Sequence, residues 1–196
     1  MLGTETGKSL ACCNVLSAIK FAGVTIAAIW FGGTLFFTFF VAPAFFADPI
    51  KTLLPPPYNG QTIMYVFDRF YGMHYLFGTL ALLHLGFDWI YTGKTLQRLN
   101  VILVGGALAL AIFAGKWMDP KLEEYYRYKY AEQYQLTVTE DEKSEYANSF
   151  GVWHGVSQGL NLLMLLGLWI YLWQMMHPNE GPKYLGSGKF NIDKQF

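Results

Sequence analysis

Charged residues are scarce and unevenly spread in this sequence. Only 14% of the 196 residues are Asp, Glu, Lys or Arg, whereas about a quarter are charged in a typical soluble domain. A helix that crosses the hydrocarbon core of a membrane needs roughly 20 mostly apolar residues. The sequence therefore predicts an all-α integral membrane protein with a four-helix bundle. The stretches that lack charge are Phe21–Ala47, Phe70–Phe87, Leu99–Gly115 and Tyr146–Asn179.

Cysteines and recognisable catalytic motifs are also scarce. The two cysteines, Cys12 and Cys13, are adjacent, so the chain has no intrachain disulfide framework. It contains no Walker-type glycine loop, nucleophile elbow, HExxH zinc motif, CxxC pair or CxxCH haem attachment site. Basic and acidic residues are equal in number, 14 each, and no basic stripe indicates nucleic-acid binding. These absences favour an accessory subunit of a larger membrane complex, with no evident catalytic motif, over an enzyme.

Proline, glycine and the apolar stretches suggest how the chain is organised. We expect a polar lead over residues 1–17, one transmembrane domain over 18–176 and an irregular tail over 177–196. Small residues at four-residue spacing, Ala107, Ala111 and Gly115, predict a packing ridge on the third helix. The expected helices cover about 18–46, 65–91, 97–117 and 149–176, with an extramembrane helical segment at about 119–135.

The extramembrane segment is rich in tyrosine. Asp119-Pro120 is typical of a helix start, with an N-cap followed by proline at the first helical position. The segment could lie at the membrane interface, dock on a protein partner, or simply extend the third helix into water. Its tyrosines are Tyr125, Tyr126, Tyr128, Tyr130 and Tyr134.

The distribution of basic residues predicts the orientation in the membrane. With four spans, both termini lie on one side. The short hinge from Thr92 to Leu99 contains Lys94 and Arg98 but no acidic residue, and short loops weigh most in the positive-inside rule. We therefore expect both termini in the cytoplasm and the protein in the cell (inner) membrane, surrounded by lipid.

The last apolar stretch carries a polar stripe. His154, Ser157, Gln158 and Asn161 are spaced i, i+3, i+4 and i+7, so they share one face of a helix. Polar groups in hydrocarbon are costly and usually face a bundle interior, a cavity or a ligand.

The same stretch carries a glycine ladder. Gly151, Gly155 and Gly159 lie at four-residue intervals, which predicts close approach of another helix. We expect replacement of Gly155 by leucine to loosen the bundle.

Two histidines are candidates for cofactor binding. His74 lies five residues after Arg69 and His154 nine residues after Glu145, so both lie at a shallow depth in the same leaflet. Imidazoles from two such helices could ligate one haem b, or another tetrapyrrole or metal, for electron transfer. The alternative is that each histidine hydrogen-bonds a neighbouring helix or an interfacial water.

His84 and Asp88 form a second candidate site. At i, i+4 they share a helix face, so the carboxylate could orient the imidazole in a proton relay. Asp88 lies near the helix end, and an acidic side chain that reaches the interface explains it equally well.

Several segments between about residues 30 and 170 resemble the transmembrane-protein-205-like family, which includes a bacterial membrane domain of unknown function. They are Trp30-Phe31-Gly32-Gly33, Phe40-Val41-Ala42-Pro43-Ala44-Phe45-Phe46, Phe70-Tyr71-Gly72-Met73-His74, Trp117-Met118-Asp119-Pro120-Lys121 and Phe150-Gly151-Val152-Trp153-His154-Gly155-Val156-Ser157 with Asn161.

The resemblance implies a four-helix bundle that is distantly similar to the four-helix membrane proteins of copper resistance and of protoporphyrinogen oxidation. The latter are associated with haem and carry a histidine in their first helix. This chain has no histidine before His74. The family has no established activity, so the resemblance implies none for this chain.

Overall fold

The computed structural model describes residues 4–92 and 97–177, and the regular structure within these ranges is entirely helical. In chain order the elements are α1 (Thr4–Phe36), the π turn π1 (Phe37–Val41), α2 (Ala42–Ala44), α3 (Asp48–Leu53), α4 (Tyr58–Thr92), α5 (Arg98–Phe113), the π turn π2 (Ala114–Met118), α6 (Asp119–Lys129) and α7 (Glu140–Met176).

Helix ends are set by caps and prolines rather than by hydropathy. α4 begins directly after Pro57, and α7 begins at a capping box in which Thr139 and Glu142 bond each other's backbone N–H. Such caps satisfy N–H groups that have no partner within the helix. These helices therefore begin before the apolar stretches that predict them. α1 likewise begins at Thr4, so most of the expected polar lead is helical.

Two parts of the sequence-based prediction cannot be compared with the structure. The expected irregular tail, apart from His177, lies outside the described residues, and so does Lys94 of the basic hinge.

Each π turn ends two residues before a proline. In π1 the N–H of Ala42 bonds the carbonyl of Phe37, and π2 repeats this i→i−5 pattern with the N–H of Asp119 and the carbonyl of Ala114. Pro43 and Pro120 follow. A proline inside a helix cannot donate to the carbonyl four residues back, and its ring clashes with that carbonyl. The wider π turn leaves room for each proline, and the chain stays helical on both sides of the turn.

The four long helices pack side by side. α1 contacts α4 and α7, and α5 contacts the same two helices from the other side. The core between them contains Trp30, Val104, Leu168 and Tyr171, each fully buried. Between membrane helices such side chains stabilise the bundle through van der Waals packing, because lipid is as apolar as the core.

The small-residue ridge of α5 packs as the sequence predicts. Ala107 and Ala111 are buried, and a Cβ added at Gly115 would collide with the side chains of Tyr71 and Tyr75 on α4. Close approach of α4 and α5 therefore depends on glycine at position 115.

Three segments are long and apolar enough to cross a membrane: Val15–Ala44, Arg98–Lys129 and Glu140–Met176. They overlap the first, third and fourth charge-free stretches of the sequence. α4 is 35 residues long, but it carries Asp68, Arg69 and Asp88 as well as two histidines. The described residues thus form an all-helical structure typical of a membrane protein, with three helices long and apolar enough to cross a membrane.

The tyrosines of α6 pack mainly within the chain. The ring of Tyr128 stacks on Tyr146 of α7 with 4.4 Å between centroids, and Tyr125 contacts the same ring from 6.0 Å. The Tyr126 hydroxyl donates to the carbonyl of Pro57 at 3.1 Å. These contacts fix α6 against α7 and the start of α4.

An ion pair supports the connection between α6 and α7. The Lys143 ammonium donates to Glu132 at 2.6 Å. This hydrogen bond holds the pKa of Glu132 below its usual value, because the charged form of the carboxyl is favoured by the cation.

Candidate functional site

The polar stripe of α7 lines a large cavity. His154, Ser157, Gln158 and Asn161 all lie on its wall, and its volume is about 790 Å³. Ligand sites in proteins usually enclose about 300–1,000 Å³. The cavity lies at the end of the bundle where α6 packs, and its other walls come from π1, α2, the first turns of α4, and α6.

The inner part of the cavity is marked by Asn161. Its amide nitrogen donates to the Thr38 hydroxyl of π1 at 2.8 Å, and that hydroxyl donates to the carbonyl of Thr34 at 2.8 Å. The amide oxygen of Asn161 is buried and has no partner among the described residues. An unsatisfied buried acceptor costs about 1–3 kcal/mol, so this oxygen is an energetically costly feature of the contact between α7 and π1.

His154 lies about 10 Å further out along α7, since a helix rises 1.5 Å per residue. Its Nε2 is 2.9 Å from the amide nitrogen of Gln158, and its ring stacks on Phe150 with 5.5 Å between centroids. This contact joins the two side chains by a hydrogen bond one turn apart on α7. Nδ1 of His154 takes no part in it.

A cation lies on the same side of the cavity. The Lys129 ammonium lies 5.3 Å from the ring centroid of Phe150 and 5.5 Å from that of Tyr130, within reach of cation–π attraction. In the described ranges no carboxylate lies within ion-pair distance of it.

The opposite wall is aromatic. Phe37 of π1 stacks on Phe70 of α4 with 4.1 Å between centroids, and Phe67 packs 5.4 Å from Phe37. Gly60 lets the ring of Tyr126 lie directly on α4, because a Cβ there would overlap that ring. The cavity thus has one polar side and one aromatic side.

His74 lies beside the cavity rather than on its wall. Its ring is fully buried and packs edge-on against Phe70, 4.4 Å between centroids. The Trp30 indole N–H donates to Nδ1 of His74 at 2.7 Å. Because an indole nitrogen only donates, the neutral imidazole of His74 carries its proton on Nε2. That nitrogen has no partner among the described residues.

This tautomer does not fit axial ligation of a haem. A metal binds an unprotonated ring nitrogen, and the unprotonated nitrogen of His74 is already bonded to Trp30. The two candidate ligands also differ in position, since His154 lines the cavity and His74 does not. Among the described residues, no group of three or more His, Cys, Asp or Glu side chains is arranged to hold a metal ion.

His84 contacts α1 at the other end of the bundle. Its Nε2 lies 2.8 Å from the carbonyl of Ile19, and its ring occupies the space that a Cβ at Gly23 would need. Asp88 lies about one turn further along α4. The proton relay proposed for His84 and Asp88 remains a prediction.

Among the described residues, the glycine ladder of α7 faces open space and not another helix. A Cβ added at Gly151, Gly155 or Gly159 would meet no atom within 4 Å, and all three positions are exposed. The expected effect of Gly155→Leu on the bundle therefore has no contact within the chain to support it.

Three residues in or beside the cavity are not among the site residues predicted from the sequence: Trp30, Thr38 and Lys129. A tryptophan in an apolar stretch signals a need for a hydrogen-bond acceptor, and threonines four residues apart, Thr34 and Thr38, signal back-bonding to the helix. Lys129 gives no comparable signal, because a lysine at a helix end is usually solvated.

A family described as a domain of unknown function, DUF4149, matches residues 25–130, which is more than half of the 196-residue chain. The matched range contains the aromatic side of the cavity and Lys129 but not the polar stripe of α7. No curated protein and no solved structure shows significant similarity to the chain.

Proposed function

This chain belongs to the DUF4149 family, and we propose that it is a four-span membrane protein that binds an amphipathic small molecule beside α7. The observation that carries the proposal is the cavity of about 790 Å³ with the α7 stripe on one side and phenylalanines on the other. A two-sided lining suits a ligand that is apolar at one end and polar at the other. We also propose the finer kinship with the transmembrane-protein-205-like proteins.

The polar side chains of α7 that line the cavity support this proposal. Polar side chains within membrane-spanning helices are costly and usually functional. Asn161 and His154 both line the cavity. A bound molecule with a polar end would therefore lie against side chains that form hydrogen bonds.

Extraction of the purified protein tests the proposal. We expect organic solvent to release a stoichiometric amphiphile from the wild type and far less from Asn161→Leu, which fills the inner part of the cavity and removes the polar amide. Leu166→Ala is the matched control, because Leu166 is exposed on the same helix and away from the cavity wall. No saturable binding of any amphiphile to the wild type would refute the proposal.

Membership of a larger membrane complex is the second candidate function, and the open glycine ladder favours it. The surface of α7 is exposed and has no side chains at Gly151, Gly155 and Gly159. A helix of another subunit would be able to pack closely against it. On this proposal the glycines pack between chains, and the protein is an accessory subunit.

Native electrophoresis after gentle solubilisation tests the accessory role. We expect a band larger than the monomer for the wild type and loss of that band in Gly155→Leu. A monomer at every detergent strength would refute it.

A further inference from the structure

The charge on the outer wall of the cavity identifies a class of ligand. α6 runs along the cavity from Asp119 to Lys129, both of which line it. The two ends of this helix are about 15 Å apart, given a rise of 1.5 Å per residue. The carboxylate therefore lies far along the helix from Lys129 and does not neutralise it.

The Lys129 end is adjacent to the polar stripe of α7. The ammonium lies over the ring of Phe150, and the imidazole of His154 stacks on the same ring. This wall thus brings together a cation, an aromatic ring and an imidazole. Lys51 of α3 also lines the cavity and adds a second positive charge.

We propose that the cavity binds a single-chain amphiphile with an acidic headgroup, carboxylate or phosphate, and that Lys129 is the residue that recognises the acid. This inference rests on the proposed ligand-binding function. The acid accepts from the Lys129 ammonium, and the chain lies against Phe37, Phe67 and Phe70. Hydrogen bonds between charged partners are the stronger kind, and desolvation by the aromatic wall strengthens the attraction further.

Competition binding in detergent tests the headgroup. The probe is cis-parinaric acid, a fluorescent fatty acid, and the competitors are palmitate, lysophosphatidic acid and a neutral monoacylglycerol, at a pH where the acids are ionised. We expect the acidic competitors to displace the probe about tenfold better than the neutral one, as one charge-assisted hydrogen bond implies. Displacement by palmitate alone or by lysophosphatidic acid alone would support the proposal and identify the acid.

Variants at Lys129 show whether this residue recognises the acidic headgroup. Lys129→Gln should reduce the preference for acids severalfold, with Lys51 keeping a residual part, while neutral monoacylglycerol still binds. Lys129→Arg should preserve the preference. Lys116→Gln, an exposed lysine outside the cavity wall, is the matched control and should change nothing.

Two kinds of result would overturn the inference, and they have different consequences for the proposed ligand-binding function. Equal competition by neutral and acidic amphiphiles, or an unchanged preference in Lys129→Gln, refutes acid recognition and leaves the ligand-binding function intact. Absence of saturable binding of both the probe and the monoacylglycerol refutes the ligand-binding function together with the inference.

Discussion

Trp30 and His74 form the most deeply buried polar contact between α1 and α4. Both side chains are fully excluded from solvent, and 44 positions separate them in the sequence. The indole orients the imidazole and decides which nitrogen carries the proton. This pair therefore fixes the relative position of two helices rather than contributing a reactive group to the cavity.

Replacing Trp30 by phenylalanine should destabilise the protein. The change removes the Trp30 donor to Nδ1 of His74 and leaves a buried acceptor unsatisfied, at a cost of about 1–3 kcal/mol, in addition to a small void. A lower melting temperature in detergent is expected. Trp169→Phe is the control, because Trp169 is exposed on α7 and its loss should leave the melting temperature nearly unchanged. An equal effect of both changes would contradict this account.

The same pair predicts the outcome of a test for haem. Because the unprotonated nitrogen of His74 already accepts from Trp30, we expect the protein purified from haem-supplied cells to show no Soret band that depends on His74. A Soret band that disappears in both His74→Ala and His154→Ala would contradict this expectation and establish the two histidines as ligands of an electron-transfer haem.

At the scale of the helix, glycines that look alike in the sequence have different roles. Gly23 on α1 faces the ring of His84, and a Cβ there would also approach the methyl carbon of Met175 to 2.7 Å. Gly155 on α7 faces open space. Both lie inside long helices, where glycine is less favourable than alanine by about 0.5–1 kcal/mol.

Alanine substitution should separate the two roles. Gly23→Ala should lower the melting temperature in detergent, since the added methyl group displaces His84 from the Ile19 carbonyl. Gly155→Ala should leave the melting temperature of the monomer unchanged or raise it slightly, because the helix gains a better helix former at no steric cost. A stabilising Gly23→Ala would show that α1 and α4 are not in contact there.

Sequence patterns predict faces of helices better than they predict partners. The spacing of His154, Ser157, Gln158 and Asn161 is enough to place them on one side of α7, because the period of a helix is known. The hydrogen bond from Asn161 to Thr38 spans 123 positions, and no local pattern encodes it. The openness of the glycine ladder is unpredictable for the same reason, since it depends on where the other helices lie.

At the scale of the whole molecule, charge-free stretches predict the membrane class because a charge in hydrocarbon is costly. Three of the four stretches overlap segments apolar enough to cross the membrane. The stretch in α4 is bounded by Arg69 and Asp88 and contains two histidines, so composition alone does not identify it as a span. Its place between α1 and α5 supports our proposal that it crosses.

The number of spans determines the topology. If α4 crosses, both termini lie on one side, which the basic hinge predicts to be the cytoplasm. Reporter fusions at each terminus should then be active only as cytoplasmic reporters. Termini on opposite sides of the membrane would show that the chain crosses an odd number of times and that α4 lies outside the bilayer.

The two π turns also determine where this chain tolerates changes in length. A turn closed by an i→i−5 bond holds one residue more than a regular helical turn. Deleting one residue from π1 or π2, together with replacement of Pro43 or Pro120, would restore a regular turn and keep the faces of the flanking segments, because the proline itself does not fit a regular turn. A deletion near Trp30 would instead rotate the following side chains by about 100° and separate the indole from His74. We therefore expect natural variation in chain length to accumulate at the two π turns and to be absent from the core-facing part of α1.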